Sequence, residues 1–313
     1  MEFLSEIRIT EQHPDLRVDR YLARRYPYLS RGEWQREIAR GKISINGSVL
    51  ARNDRIIRTG DRISFAGRDA AEPEVDTNYS ILYEDDHFIG INKPANLPVH
   101  PAGVFYHNTL ITLMQKSRGV KLHLLHRLDR ETSGIVVAAK DAGTARNFQE
   151  RFGSVRKSYF AIVHGVPREG SFTVDMPIEA DRSSPLDHKK AAFHGAAQEA
   201  VTKFLTVHSN NGFSLLEAVP YTGRQHQIRV HLKYAGYPIL GDRMYGIEDN
   251  PDPAFVRRGP GAESAARLGF WRSALHARSL IFPHPVTNKT IAISAPVPDD
   301  MRSFLQREMA FNG

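Results

Sequence analysis

Apolar residues recur at helical spacing in short runs near the start of the chain and give way to strand-like runs near residue 80. In VDRYLARRY, residues 18 to 26, Val18, Leu22 and Tyr26 stand four apart and Pro27 closes the run, so a first helix is expected there. Ser30 followed by Glu33 forms a capping-box pattern, Trp34 and Ile38 share a face, and Gly41 sits at a C-terminal cap position. These features predict a second helix. KISI, the Asn46-Gly47 turn and DRISF then predict a small sheet.

Beyond residue 80, ILYEDDHFIGINKP predicts two strands around an Asp85-Asp86 turn, and GIVVAAK predicts a strand buried on both faces. DAGTARNFQERFG predicts a helix capped by Asp141, with Ala145, Phe148 and Phe152 inward. Strands, hairpins and helices in this mixture predict an α+β fold with a largely antiparallel sheet and flanking helices, preceded by a small αβ domain. Residues 67–79 are acidic and aperiodic, which suits a linker, and residues 247–269, with three prolines, read as a loop.

Composition narrows the chemistry. None of the 313 residues is cysteine, which excludes disulfides, thiolate-metal sites and a cysteine nucleophile. No apolar run approaches the roughly 18 residues that span a bilayer, and MEFLSEIRITEQ lacks a signal-peptide pattern. A cytoplasmic protein without membrane contact is expected. The net charge is +7, yet residues 17 to 68 alone hold 13 Lys and Arg against five acids. So local an excess reads as a footprint for a polyanion, with an ordinary solvated face as the alternative. Fourteen histidines invite a metal reading, but His123 with His126, and His226 with His231, lack a carboxylate at ligand spacing. No glycine loop that cradles phosphate occurs. Neither metal nor cofactor is expected.

HRLDRETSG, residues 126–134, concentrates the candidate chemistry. Asp129 lies between Arg127 and Arg130, and opposite charge nearby would keep its carboxylate ionised, as a nucleophile requires. A surface ion-pair cluster capping a strand explains the same residues. Tyr159 in KSYFAIV shares a strand face with Ala161 and Val163 and reads as a core aromatic or a site residue. In HQIRVHLKYAG, Ile228, Leu232 and Ala235 recur at helical spacing before Gly236. His226, Arg229 and Lys233 would then share a neighbouring face, where Arg229 could equally be a solvated arginine.

The order of helix, basic capped helix and strands around SRGEWQREIARGKISING resembles the small RNA-binding domain named after small-subunit ribosomal protein four, over residues 17–66. That resemblance implies that Arg31, Arg36, Arg40 and Lys42 lie against structured RNA. HRLDRETSG resembles the signature loop of the RluA-like family of RNA pseudouridine synthases. INKPANLPVHPAG, VRKSYFAIVHG, YTGRQHQIRVHL, GYPILGD and LHARSLIFPHP follow the family's order across residues 80–298, with Asn96 where a glycine is usual. This implies the pseudouridine synthase fold and a cofactor-free, monomeric enzyme isomerising uridines in structured RNA. Large-subunit ribosomal RNA is the implied substrate, with transfer RNA as the alternative. Asp129 would be the nucleophile, toward either sugar carbon 1′ or uracil carbon 6, and Arg229 its bidentate ion partner. Tyr159 would stack on the uracil and take part in proton transfer at carbon 5. Arg127 would fill the place of the extruded base, with His126, Arg224, His226 and Gln227 toward the RNA. Two other readings are a noncatalytic RNA-binding or ribosome-assembly protein of the same fold, and a hydrolase using Glu131 as a second acid.

Overall fold

Ser30 begins the second helix in the manner its side chain predicts. Its Oγ accepts the Glu33 N–H at 3.3 Å, and the Glu33 carboxylate accepts the Ser30 N–H at 2.7 Å, so two otherwise orphaned amides are satisfied. The computed structural model containing this helix describes residues 5–10, 16–26, 29–65, 72–102, 105, 107–186 and 188–311. Pro27 and positions 67–71 of the expected linker lie outside the described residues. The chain divides into two compact units, Met1–Glu74 with His100–Leu113, and Val75–Val99 with Met114–Gly313.

The first unit holds β1 (Ser5–Arg8), α1 (Val18–Arg25), α2 (Arg31–Ala39), β2 (Ile43–Ile45), β3 (Ser48–Val49) and β4 (Arg62–Phe65), with sheet order β1-β4-β2-β3. Val18, Leu22, Trp34, Ile38, Ile43 and Ile63 form its core. Asp19 is fully buried on α1 and accepts bonds from Arg17 Nε at 3.1 Å, Arg31 Nε at 2.9 Å and Gln35 Nε2 at 2.6 Å. A buried carboxylate is tolerable only when paired in this way.

The second unit is built on β5 (Ser80–Glu84), β6 (Phe88–Lys93), β7 (His123–Leu124), β8 (Ser133–Ala139), β9 (Arg156–His164), β10 (Ser171–Asp175), β11 (Ile178–Ala180), β12 (Lys190–Ala192), β13 (Val201–Asn210), β14 (Phe213–Pro220), β15 (Leu275–Pro283) and β16 (Thr290–Ser294). The main sheet runs β10-β13-β14-β9-β15-β8-β6-β5, with β16 on β15 and β7 on β8, while β11 and β12 form a separate hairpin. Only β8 and β15 pair in parallel among these described strands. Every residue of β8 is buried, as its uninterrupted apolar run predicts. Helices α3 (Leu110–Arg118), α4 (Ala142–Glu150), α5 (Gln227–Tyr234), α6 (Pro253–Arg258), α7 (Ala262–Leu268) and α8 (Asp299–Met309) complete the order. The α+β architecture with a largely antiparallel sheet is the one expected. Asp141 caps α4 through the Thr144 N–H at 2.9 Å. No helix among the described residues is long and apolar enough to cross a membrane.

The stretch 247–269, expected as a loop, instead contains α6 and α7. Each is under two full turns, too short for an apolar repeat to show. The Asp252-Pro253 start and the glycine ends at Gly259 and Gly269 were the legible signals.

Gly134 fixes how the sheet carries the loop before it. Its φ is +105°, and a Cβ there would lie 2.2 Å from the Ala277 carbonyl oxygen on β15. Gly134→Ala must therefore separate the parallel β8–β15 pair and adopt a disfavoured backbone conformation, at a cost of about 3 kcal/mol or more. Thermal unfolding of the intact chain should show a melting temperature several degrees lower. An unchanged value would contradict this close approach.

Candidate active site

Asp129 is delivered to the end of β8 by a loop with few free parts. Its carbonyl accepts the Thr132 N–H at 3.2 Å. The next carbonyl, of Arg130, accepts from the buried Lys93 Nζ at 3.2 Å, and Lys93 also donates to Pro94 O and Leu97 O. Glu131 pairs with the buried Arg243 guanidinium and accepts the Ser273 N–H at 3.0 Å. Ser133 Oγ meets His276 Nδ1 at 3.0 Å, and His126 Nε2 accepts the Val137 N–H at 3.2 Å. Asn96, with φ +58°, occupies the left-handed region that asparagine tolerates better than most residues, which explains how it stands at a glycine-type position.

The Asp129 side chain leaves this framework and faces a cavity of about 250 Å³, a space suited to a single nucleoside. Arg127, Thr132, Phe152, Lys157, Tyr159, Arg224, His226 and Arg229 are among its lining residues. Arg229 Nη1 donates to Asp129 Oδ2 at 2.8 Å. Burial alone would raise the Asp129 pKa, but the surrounding positive potential, with Arg229 hydrogen-bonded to it, brings it below the ordinary carboxylate range.

Arg229, the expected ion partner, reaches Asp129 from one hundred residues away. The contact is not the bidentate one expected. The guanidinium fork is spent on Asp242, with Nε–Oδ2 at 2.6 Å and Nη2–Oδ1 at 2.8 Å, leaving Nη1 for Asp129. Asp242 is buried and also accepts the Met244 and Tyr245 N–H groups and the Ser273 hydroxyl. Burial raises its pKa, the Arg229 charge and hydrogen bonds lower it more strongly, and the net position is about 2. Sequence reasoning missed Asp242, although GYPILGD contains it.

His226 caps α5 from the left-handed region, with φ +59°. Its Nδ1 lies 2.8 Å from the Tyr245 hydroxyl, which accepts the Lys190 N–H, and its Nε2 lies 3.8 Å from Asp129 Oδ1. Burial lowers its pKa to about 4, so the ring is neutral at pH 7. Nδ1 can then accept the Tyr245 O–H, which places the ring proton on Nε2, toward Asp129. Tyr159 is next to Ala277 and Ala218 in the sheet register and lines the cavity. Burial, reinforced by the Asp129 charge, pushes its phenol pKa well up, so the hydroxyl stays protonated.

Arg127 and Arg224 are exposed at this cavity, where RNA could reach them. Gln227 and His126, expected toward the RNA, are engaged inside the protein. Gln227 is buried, its oxygen accepting from Thr222 Oγ1 and Arg224 N and its nitrogen donating to Val201 O and Thr202 Oγ1. Burial holds His126 near pKa 3 and its Nε2 is used by β8. Lys233, expected beside Arg229, reaches Gly246 O and Asp249. Glu131 has both carboxylate oxygens committed, to Arg243 and to the Ser273 N–H. His231 is bonded to Thr202 and Met176 O inside the core, and no group of three metal-ligating side chains occurs among the described residues. In the first unit Arg36 and Arg40 are exposed, Arg40 paired with Glu37, and Lys42 is half-buried. Arg31 is exposed in part but holds Asp19 with its Nε.

The family profile described as RNA pseudouridylate synthase matches residues 87–234, and that described as S4 domain matches residues 16–63. A protein of Zymomonas mobilis named ribosomal large subunit pseudouridine synthase D is 33% identical, with 98% of each chain covered. An uncharacterized RNA pseudouridine synthase of Chlorobaculum parvum is 32% identical, with 96% of each covered. The solved structure of human RNA pseudouridylate synthase domain containing 4 superposes with a TM-score of 0.58 at 33% identity, covering 73% of this chain and 92% of that one.

The Arg229 fork yields a test. Asp242→Asn leaves a buried guanidinium with one carboxylate, which should cost about 3 to 5 kcal/mol at neutral pH and reduce any turnover that depends on Asp129. Because the Asp242 pKa is depressed in the folded state, its contribution is present above the unfolded value of about 3.9 and is lost as pH falls through about 2. Urea unfolding of both proteins should show a gap that is full at pH 6 and narrows between pH 4 and 2. A gap independent of pH would contradict the pairing.

Proposed function

We propose, from the premise that the chain belongs to the RNA pseudouridine synthase family, that it isomerises uridines of large-subunit ribosomal RNA with Asp129 as the nucleophile. The observation that carries the reading is the Asp129 carboxylate, ionised beside Arg229 at the floor of a nucleoside-sized cavity. Relatives named for the ribosomal large subunit support the choice of RNA.

The reaction breaks the bond from sugar carbon 1′ to N1, turns the uracil, joins carbon 1′ to carbon 5, and moves the carbon 5 proton away while N1 gains one. No net atom or electron is exchanged. A nucleophile is needed that stays charged in a water-poor site, and Arg229 provides the necessary potential. Tyr159, with its phenol protonated, offers a ring face for the uracil and a hydroxyl that has no hydrogen-bond partner among the described residues. Arg229 also spans the Tyr245 ring at 4.9 Å, a contact that favours its charged form.

Chemistry on a paired base requires the nucleotide to leave its stack. Arg127, exposed two residues before Asp129, suits the vacated position, since a guanidinium can both stack on bases and pair with phosphate. Arg224 flanks the cavity on the opposite segment. In the first unit, Arg36 and Arg40 extend from α2 and fit the phosphate backbone of a folded RNA.

In cells lacking this protein, pseudouridine mapping should find at least one position of large-subunit ribosomal RNA unmodified, and the wild-type gene should restore it while Asp129→Asn should not. Restoration by that variant would remove Asp129 as nucleophile, and a missing site in transfer RNA would redirect the substrate. Separately, replacing Arg36 and Arg40 with Gln should reduce the slope of log affinity against log salt by roughly 0.7 to 0.9 for each lost phosphate contact. Filter binding across a salt series measures this, and equal slopes would return both arginines to the solvated surface.

A further inference from the structure

Lys157 has no role in the chemistry described so far. It precedes Tyr159 by two residues on β9, so the two side chains share a face of the strand, and both line the cavity that holds Asp129. Its Nζ lies 4.0 Å from the centroid of the Phe152 ring. Among the described residues it makes no hydrogen bond or ion pair with a carboxylate or carbonyl. Burial lowers its pKa to about 8, so it remains mostly charged at pH 7 while partly stripped of water. A desolvated ammonium packed on an aromatic ring, open to a cavity and unpaired, is an unfilled anion site.

The charge balance around the cavity favours the same reading. Asp129 is the only carboxylate among the lining residues, against Arg127, Lys157, Arg224 and Arg229. Arg229 is shared between Asp129 and Asp242, so these three side chains together carry one net negative charge. Lys157 and Arg224 outweigh that single charge, so the cavity presents a positive face to an incoming nucleotide. RNA carries its negative charge on phosphodiesters. Two residues along a strand span roughly 6.6 Å, a reach comparable to that from a nucleobase to its own phosphate.

We propose that Lys157 is a phosphate clamp for the target nucleotide, binding the phosphodiester that adjoins the uridine held against Tyr159 and Asp129. The inference rests on the assignment of this cavity as the reacting site. It gives β9 two functions, a ring for the base and a cation for the backbone, and so fixes the direction in which the ribose enters.

The test compares the full-length wild type, Lys157→Met and Lys157→Arg under single turnover, on the RNA stem-loop around the uridine found by mapping. Each protein is also given stem-loops with an uncharged methylphosphonate on either side of that uridine. Lys157→Met should lose about tenfold in efficiency on the natural stem-loop and reduce the salt slope by roughly 0.7. Lys157→Arg should recover most of the loss. At one of the two linkages, the methylphosphonate should cost the wild type about tenfold and Lys157→Met almost nothing further. Equal proportional losses for both proteins at both linkages, or a Lys157→Met protein as efficient as the wild type, would overturn the proposal. A merely structural defect would appear as an equal loss on every RNA and would overturn it too. Asp129→Asn in the same series keeps the two readings separate, since activity in that variant would defeat the nucleophile assignment and leave the Lys157 comparison standing.

Discussion

Arg229 is a buried cation shared by two carboxylates, and the geometry of the site follows from that sharing. Alone, Asp129 would take up a proton in so dry a position, and alone, Arg229 would be an uncompensated charge. Asp242 resolves both problems because its oxygens are fixed by two backbone amides and the Ser273 hydroxyl. The guanidinium plane is thus set from behind, and Nη1 points at Asp129 without rearrangement. Preorganisation of this kind is what makes a fixed charge effective in a low-dielectric cavity.

The loop in front is held with comparable redundancy. Lys93, Arg243, Ser273 and His276 each bind the segment from Arg130 to Ser133 through a different atom. The ion-pair cluster read in HRLDRETSG and the carboxylate that faces the cavity are neighbouring parts of one loop. Glu131 belongs to the framework, and Asp129 with Arg127 faces the cavity. The basic count of the first unit divides in a similar manner. Arg17 and Arg31 are held by the buried Asp19, so the charge offered outward is smaller than composition suggests.

Features encoded within a few residues were legible. The Ser30–Glu33 capping box, the uniformly buried β8 and the Asp141 cap each depend on spacing that a reader of the chain can see. Partnerships across the chain were not legible in spacing, and the Arg229–Asp129 pair was expected only through the family resemblance. Glu131 and Arg243 are 112 residues apart and Arg229 and Asp129 are 100 apart, and no periodicity connects them. Gln227 shows the opposite error, since a polar residue in a polar motif was read as outward although all its hydrogen-bonding capacity is used within the protein.

The parallel contact between β8 and β15 has a kinetic consequence. Strand β15 lies about 140 residues after β8, and the loop-closure cost of so distant a pairing must be met before its contacts contribute. A ribosome making this chain emits Asp129, Tyr159, Arg229 and Asp242 long before Ser273 and His276 arrive to brace the loop. Nascent chains thus carry the cavity's charged and aromatic side chains without the scaffold that aligns them. Completion of the C-terminal strands is the event that turns a set of residues into a site.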